Sequence, residues 1–223
     1  MTQNGTRIEK DTMGEMEVPV DAYWGASTQR AVLNFPVSNL RYPPTFVHTL
    51  GQIKRAAARA NAGLGLLDQG VADAIVSAAT EVVDGKWDAH FVIDIFQTGS
   101  GTSTNTNANE VIAKRAREIA PSVNVHPNDH VNMAQSSNDV IPTASHLAVA
   151  KVINDELLPA LAEAQGTLAG KASAFWDIIK TGRTHLQDAT PIRLGQVFQG
   201  YASQLELAQE RLRPHVGALA EVA

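Results

Sequence analysis

Three stretches of this chain concentrate hydrogen-bonding side chains where ordinary core residues are scarce. The first, TGSGTSTNTNAN, runs from Thr98 to Asn109 as twelve consecutive uncharged residues, mostly hydroxyls, amides and glycines. The second, HPNDHVNMAQSSND, spans His126 to Asp139, and the third, GRTHLQDATP, spans Gly182 to Pro191. Between Glu118 and Lys151 there is no Lys or Arg. An anion held there must rely on neutral donors, on His or on helix N-termini. Neutral donors suit a carboxylate, which they bind without fixing it as tightly as a bidentate Arg would. His185, in the third stretch, is a side chain able to move protons near neutral pH.

Each stretch also has a purely structural reading. Gly99-Ser100-Gly101-Thr102 can be a flexible turn with an N-cap. It is not a P-loop, because the Gly-Lys-Ser/Thr ending is missing. His126 and His130 are spaced like a metal pair on a helix, but Pro127 lies between them and no third ligand is evident, so no metal is expected. Ser136, Ser137, Asn138 and Asp139 precede Pro142 and a long helical pattern, where some of them can serve only as caps. A lone His beside a strand, as at His185, is commonly structural. Three such islands in one chain shift the balance toward a shared site.

The elements that must position them read mostly as helices. Residues 1 to about 44 carry Gly14, Pro19, Gly25, Pro36, Pro43 and Pro44, and read as irregular, with a short strand near Arg7-Ile8-Glu9 and a helix near Ser27 to Leu33. Strong helix formers run from Thr45 to Leu67, ended by Gly63 and Gly65. A second helix is expected from Asp68 to Asp84 and a third from Asn107 to Ala120, before Pro121. From Pro142 to Ala172 the apolar positions Leu147, Ala150, Ile153, Leu157, Leu161, Ala164, Leu168 and Ala172 step by three or four, so one long amphipathic helix is expected, disturbed at Pro159. A strand is expected at Ile178 to Thr181. Leu194, Val197, Tyr201, Leu205, Ala208, Leu212, Val216 and Leu219 repeat the helical stripe, still uncapped where the chain stops at Ala223, which reads as an interrupted domain. Helices of roughly 40 Å need partners to bury such stripes, which points to a bundle.

Composition narrows the class. The chain has 223 residues, 44% hydrophobic and 18% charged, with a net charge of −5 and no cysteine. Nothing in this suggests a nucleic-acid or membrane-surface partner, and disulfides, iron–sulfur clusters and thiolate chemistry are excluded. The polar start MTQNGTRIEKD lacks a signal-peptide core and no run is long enough to span a membrane, so a cytoplasmic protein is expected.

The three islands, in this order and set among long helices, resemble the fumarase/aspartase superfamily, most closely its class II, iron-independent fumarate hydratases. The residues that carry the resemblance are Thr98 to Val111 with the lead-in IDIFQ, His126 to Asp139, and GRTHLQDATP with the following LGQ. Aspartases usually have Gln where His185 stands, Ala-Gly-Ala-Gly-Thr in place of Thr98 to Thr102, and Ser-Thr in place of Ser136-Ser137. The resemblance implies a mainly α fold: a small irregular N-terminal α+β lyase domain over 1–138, then, over 139–223, the first part of a long-helix bundle. It implies reversible addition of water to fumarate, giving L-malate, without a cofactor, in a homotetramer.

Within it, Ser100, Gly101, Thr102, Ser136, Ser137, Asn138 and Thr184 would hold the substrate carboxylates, and His185 would activate or protonate the departing water. His126, Pro127, Asn128 and Asp129 match a second anion site. Val123 stands where some members have a basic residue before that site, and His130 where Asp is common. The family's mobile Gly-Ser-Ser-x-Met-Pro-x-Lys-x-Asn loop is not in these residues. The chain is therefore expected to be an N-terminal part, inactive alone. An aspartase-like ammonia lyase and a non-catalytic helical oligomerisation fragment are the alternatives.

Overall fold

The structure, a computed structural model, describes residues 5–222. The chain opens with the hairpin β1 (Thr6–Asp11) and β2 (Gly14–Pro19), followed by α1 (Ala26–Asn34), α2 (Pro44–Gly63), α3 (Gln69–Val83) and α4 (Thr102–Ile119). It continues with α5 (Ser137–Val152), α6 (Leu158–Ala174), a second hairpin of β3 (Ile179–Thr184) and β4 (Gln187–Arg193), and α7 (Leu194–Ala218). The fold is mainly α, with each hairpin forming its own two-stranded antiparallel sheet. The chain divides into two compact units, one running up to Ala148 and one formed by Val149–Glu221.

Small residues build the core of the first unit. On α2 the buried positions Val47, Leu50, Lys54, Ala58 and Asn61 recur every three or four residues, with Gly51 on the same side, as one helix face requires. Asp68 caps α3 by accepting hydrogen bonds from the Gly70 and Val71 amides. Gly51 lets α2 approach α3 closely, since a Cβ there would stand 3.0 Å from the Ala79 carbonyl oxygen. Ala108, Val111, Ile112, Ala113 and Ala116 of α4 complete this core, joined by Val125, Val131, Val140 and Ala144.

Several boundaries depart from expectation for identifiable reasons. Helix α4 begins at Thr102, not Asn107, because the Gln97 side chain accepts the Thr104 amide, and Thr102 Oγ1, Thr104 Oγ1 and Asn105 Nδ2 find partners. The strand at Ile179–Thr184 is paired with β4, and β1 with β2; neither partner strand was expected. Between α5 and α6 lies a π turn, Ile153–Leu157, in which the Leu158 amide reaches back to the Ile153 carbonyl. Pro159 follows at once and has no N–H to continue the ordinary ladder, which is the disturbance its position predicts. Helix α7 closes at Ala218, with the Leu219 amide bonded to the His215 carbonyl, so the last stripe position lies just past its end.

The second unit pairs α6 with α7 and leaves much of both faces open. Of its hydrophobic residues, Leu158, Ala172 and Ala202 are buried. Gly195 allows the close approach of α7 to α6, because a Cβ there would clash with the Ala172 carbonyl oxygen. Within the described residues no helix is long and apolar enough to cross a membrane.

Candidate active site

The first two islands meet through hydroxyls. Gly101 precedes α4 with φ +67°, a left-handed conformation that favours glycine, and a Cβ there would press on the Ile141 side chain at 2.9 Å. Because Gln97 supplies the cap, the Ser100 and Thr102 hydroxyls are not used for capping. Thr102 Oγ1 lies 2.9 Å from Ser100 Oγ and 2.9 Å from Ser137 Oγ. Thr102 and Ser137 are the first residues of α4 and α5, so two helix N-termini adjoin at this contact. Each brings a partial positive charge. No acidic residue stands in the first turn of α4, whereas Asp139 in that of α5 opposes an anion. Three hydroxyls in a chain use two protons on one another and keep one O–H free for an incoming acceptor. Ser136 caps α5: its Oγ accepts the Asn138 amide at 3.2 Å. Ser100, Thr102, Ser136 and Asn138 are exposed and Ser137 half-buried.

Behind these hydroxyls lies a buried polar layer. From Thr104 onward the neutral island turns inward, and Thr104, Asn105, Asn107 and Asn109 are all buried. Asn107 staples the preceding loop by accepting the Val92 amide and donating to the His90 carbonyl. Gln97 donates to Thr104 Oγ1 and to the Asp94 carbonyl. Burial alone would raise the Asp94 carboxyl. Amide donors from Phe96, Ser38 and Asn39 and the Ser38 hydroxyl outweigh it and hold the group down to about 2. Lys54 of α2 is fully buried and donates to Asn132 Oδ1 at 2.8 Å and Gln135 Oε1 at 3.0 Å.

The rest of the second island forms a π turn, Pro127–Val131. His126 Nδ1 accepts the Asp129 amide at 3.1 Å, and His130 Nδ1 accepts the His126 amide at 2.9 Å. His126, Pro127 and Asn128 border a cavity of about 430 Å³ shared with Lys10, Ser27 and Glu110. Among the described residues no group of three or more His, Asp or Glu is placed to hold a metal ion.

Thr184 and His185 belong to the second unit. Thr184 pairs with Gln187, so His185 and Leu186 form the two-residue tip of the β3–β4 hairpin. Both have positive φ, +48° and +61°, as a type I′ turn requires of both central residues. Neither is the Gly, Asn or Asp that accepts this conformation readily, and Leu186 is wholly exposed. Such strain is stored where a side chain's placement matters more than local comfort.

Sequence reasoning missed Lys54 and did not single out Asn105, Asn132 and Gln135 within the islands or Asp94 within the IDIFQ lead-in. For Lys54 a signal existed: it falls on the apolar face of GQIKRAAARANAG, four residues from both Leu50 and Ala58. The partners of the amides are set by tertiary packing and carry no local pattern.

The model of a lyase family matches residues 14–222. A class II fumarate hydratase of Halobacterium salinarum is 55% identical over 222 residues, covering 97% of this chain and 47% of that protein. One from Bordetella parapertussis is 52% identical, covering 98% of this chain and 48% of its own length. The crystal structure of a class II fumarase from Schistosoma mansoni superposes with a TM-score of 0.92 at 41% identity, over 97% of this chain and 47% of that one. A fumarate lyase:delta crystallin structure from Brucella melitensis gives 0.92 at 43% identity. The chain thus spans about half the length of the curated relatives it matches.

Proposed function

The chain belongs to the lyase family, within the fumarase/aspartase superfamily, and from that premise we propose that it serves the reversible addition of water to fumarate, giving L-malate. The observation that carries the reading is the hydroxyl bridge Ser100–Thr102–Ser137 at two adjoining helix N-termini. Removing a proton beside a carboxylate concentrates negative charge on that carboxylate as an aci-dianion. Preorganised donors aimed there lower the barrier. In this reading Ser100, Gly101, Thr102, Ser136, Ser137 and Asn138 bind substrate carboxylate, and Thr184 is a further carboxylate-binding residue. His185 gives a proton to the departing hydroxide, or takes one from the attacking water in the reverse direction. The class II names of the relatives and His185 itself favour a hydratase over an ammonia lyase.

The remaining catalytic loop implied by the resemblance is not in this sequence. We therefore place the activity in the protein at the full length of its relatives, as a cytoplasmic homotetramer with no cofactor. His126, Pro127, Asn128 and Asp129 form the proposed second anion site.

The test is turnover by the full-length protein with L-malate, fumarate and L-aspartate. Malate and fumarate should interconvert and aspartate should not react; ammonia release from aspartate would overturn the hydratase reading. His185→Asn should lower kcat about 10²-fold or more, and an unchanged kcat would return His185 to a structural role. Thr102→Val should cost roughly 1.5–3 kcal/mol in kcat/KM, as for a hydrogen bond to a charged group. A second reading, a non-catalytic helical oligomerisation module, draws on the half-open faces of α6 and α7. Light scattering that shows assembly, with no turnover at full length, would favour it.

A further inference from the structure

We propose that Lys54 is a positioning residue of the carboxylate site: its buried ammonium fixes Asn132 and Gln135, and through them the turn that presents Ser136, Ser137 and Asn138. This rests on the hydratase reading above for what the site binds, and on geometry alone for how the turn is held.

Lys54 is fully buried, and among the described residues no carboxylate pairs with it. An interior charge without a counter-ion is costly, and an apolar side chain of similar length would fill the same space on α2 at lower cost. What the ammonium supplies that a methionine would not is direction. As an ammonium it can only donate, so in that form both carboxamides must turn their oxygens toward it. Their amino groups then point the other way. Asn132 Nδ2 donates to the Gln135 carbonyl at 3.0 Å, and Gln135 Nε2 to the Val131 and Met133 carbonyls at 3.0 and 3.1 Å. Three main-chain carbonyls between 131 and 135 are thereby tied in a sense that Lys54 dictates.

The same cluster reaches the first island, because Asn105 Nδ2 on α4 donates to Asn132 Oδ1 at 3.1 Å. Asn105 lies one helical turn beyond Thr102, whose hydroxyl meets Ser137. Lys54 therefore joins α2 to both halves of the hydroxyl bridge. A second observation marks the segment as held against its own preference: Ala134, between the tied residues, has φ +56°. A non-glycine residue keeps that conformation only where its surroundings over-determine it. Asn61 of α2 adds a bond to the Met133 carbonyl at 3.1 Å. Ser136 follows Gln135 directly and starts the cap of α5.

The experiment uses Lys54→Met, alone and with Ser137→Ala, in the protein at full length, and hydrogen exchange by mass spectrometry. Lys54→Met should lower kcat/KM about 10- to 100-fold, the cost of misplacing donors by a fraction of an ångström to one ångström. Because it acts through the same donors, the double variant should lose little more than the worse single one. Losses that multiply, or an unaltered kcat/KM in Lys54→Met, would overturn the proposal. Exchange at residues 131–138 should quicken about tenfold or more while the α3 amides keep their protection. Unchanged exchange at 131–138, or uniform loosening of the whole unit, would also overturn it. Should Lys54→Met fail to fold, Gln135→Met cuts one of the two lysine bonds and must show the same pattern with Ser137→Ala. Absence of turnover in the unsubstituted protein would sink the hydratase reading instead, and the exchange result would still decide the role of Lys54.

Discussion

In the unit that ends at Ala148, polar side chains are buried and bonded to partners far along the chain: Lys54 to Asn132, Asn107 to His90, Asp94 to Ser38. In Val149–Glu221 the side chains that matter stand in solvent. Thr184 and His185 are exposed on a hairpin, and Leu157, Trp176, Ile179, Tyr201 and Leu207 of the same unit are exposed as well. The two units position chemical groups by different means. The first holds its hydroxyls by an interior network of side-chain hydrogen bonds anchored to a packed core of α2, α3 and α4. The second holds His185 by backbone alone, through two left-handed residues at the tip of a two-stranded sheet. Groups of the first kind are sensitive to substitutions out of sight of the site; those of the second kind are sensitive only to the local turn.

The largest effect expected from this contrast is in packing. Leu50, fully buried on α2, should cost about 2–5 kcal/mol when replaced by Ala, the range for an interior leucine that leaves a cavity. Leu207 on α7 is 46% exposed, and its Ala variant should change stability by no more than about 0.5 kcal/mol. Chemical denaturation of the two variants beside the parent chain checks both values. A Leu207→Ala cost comparable to that of Leu50→Ala would mean that α7 is covered in solution, and the contrast between the units would fail.

The next effect is a pH dependence peculiar to the first unit. Burial lowers Lys54 from 10.5 to about 7 in the folded chain. Between those values the unfolded chain binds a proton that the folded chain does not, so the stability owed to Lys54 rises as pH rises through this window. Below about pH 7 both states are charged and the full cost of burying the ammonium is felt. Relative to Lys54→Met, the parent should gain on the order of a few kcal/mol between neutral pH and pH 10. Denaturant titrations of both proteins at several pH values measure this difference. Parallel curves would show that the two amide oxygens hold the proton as firmly as water does.

How far these features were legible follows from the range of the forces behind them. The helices of the first unit could be read because Asp68, Gly63 and Gly85 mark ends and the alanine-rich faces repeat at helical spacing. Helix α4 began earlier than expected because its first turns are stabilised by Gln97 and by buried amides, neither visible in a hydrophobic period. The partner strands β2 and β4 were missed for a related reason. GEMEVP does alternate, with Glu15 and Glu17 exposed and Met16 and Val18 turned inward, but the run is short and bounded by a glycine and a proline, and QDATPIR carries a proline and is mostly exposed, so pairing partners complete what patterning leaves open. Of the proposed site residues, Ser100, Thr102 and Ser137 stood out by composition, and their mutual contact is tertiary. The islands contained both the hydroxyls that face outward and the amides Asn105, Asn132 and Gln135 that orient them, but composition did not tell the two apart, and Lys54 lay within ordinary-looking helix sequence.

The smallest effect sharpens the contrast at the hairpin tip. Leu186 has φ +61° and buries nothing in this chain, its side chain being wholly exposed. A left-handed non-glycine residue costs about 1–2 kcal/mol, and glycine recovers most of that while adding about 0.5–1 kcal/mol of unfolded-state entropy. Leu186→Gly should therefore stabilise the second unit by at most about 1 kcal/mol, whereas Leu186→Ala keeps the strain and should leave stability within about 0.5 kcal/mol of the parent. Thermal melts of the two variants beside the parent separate these outcomes. If Leu186→Gly instead destabilised the protein, the leucine would be making contacts in solution that the isolated chain does not show. The tip that carries His185 would then be held by packing as well as by backbone, and the second unit would resemble the first more closely than its exposure suggests.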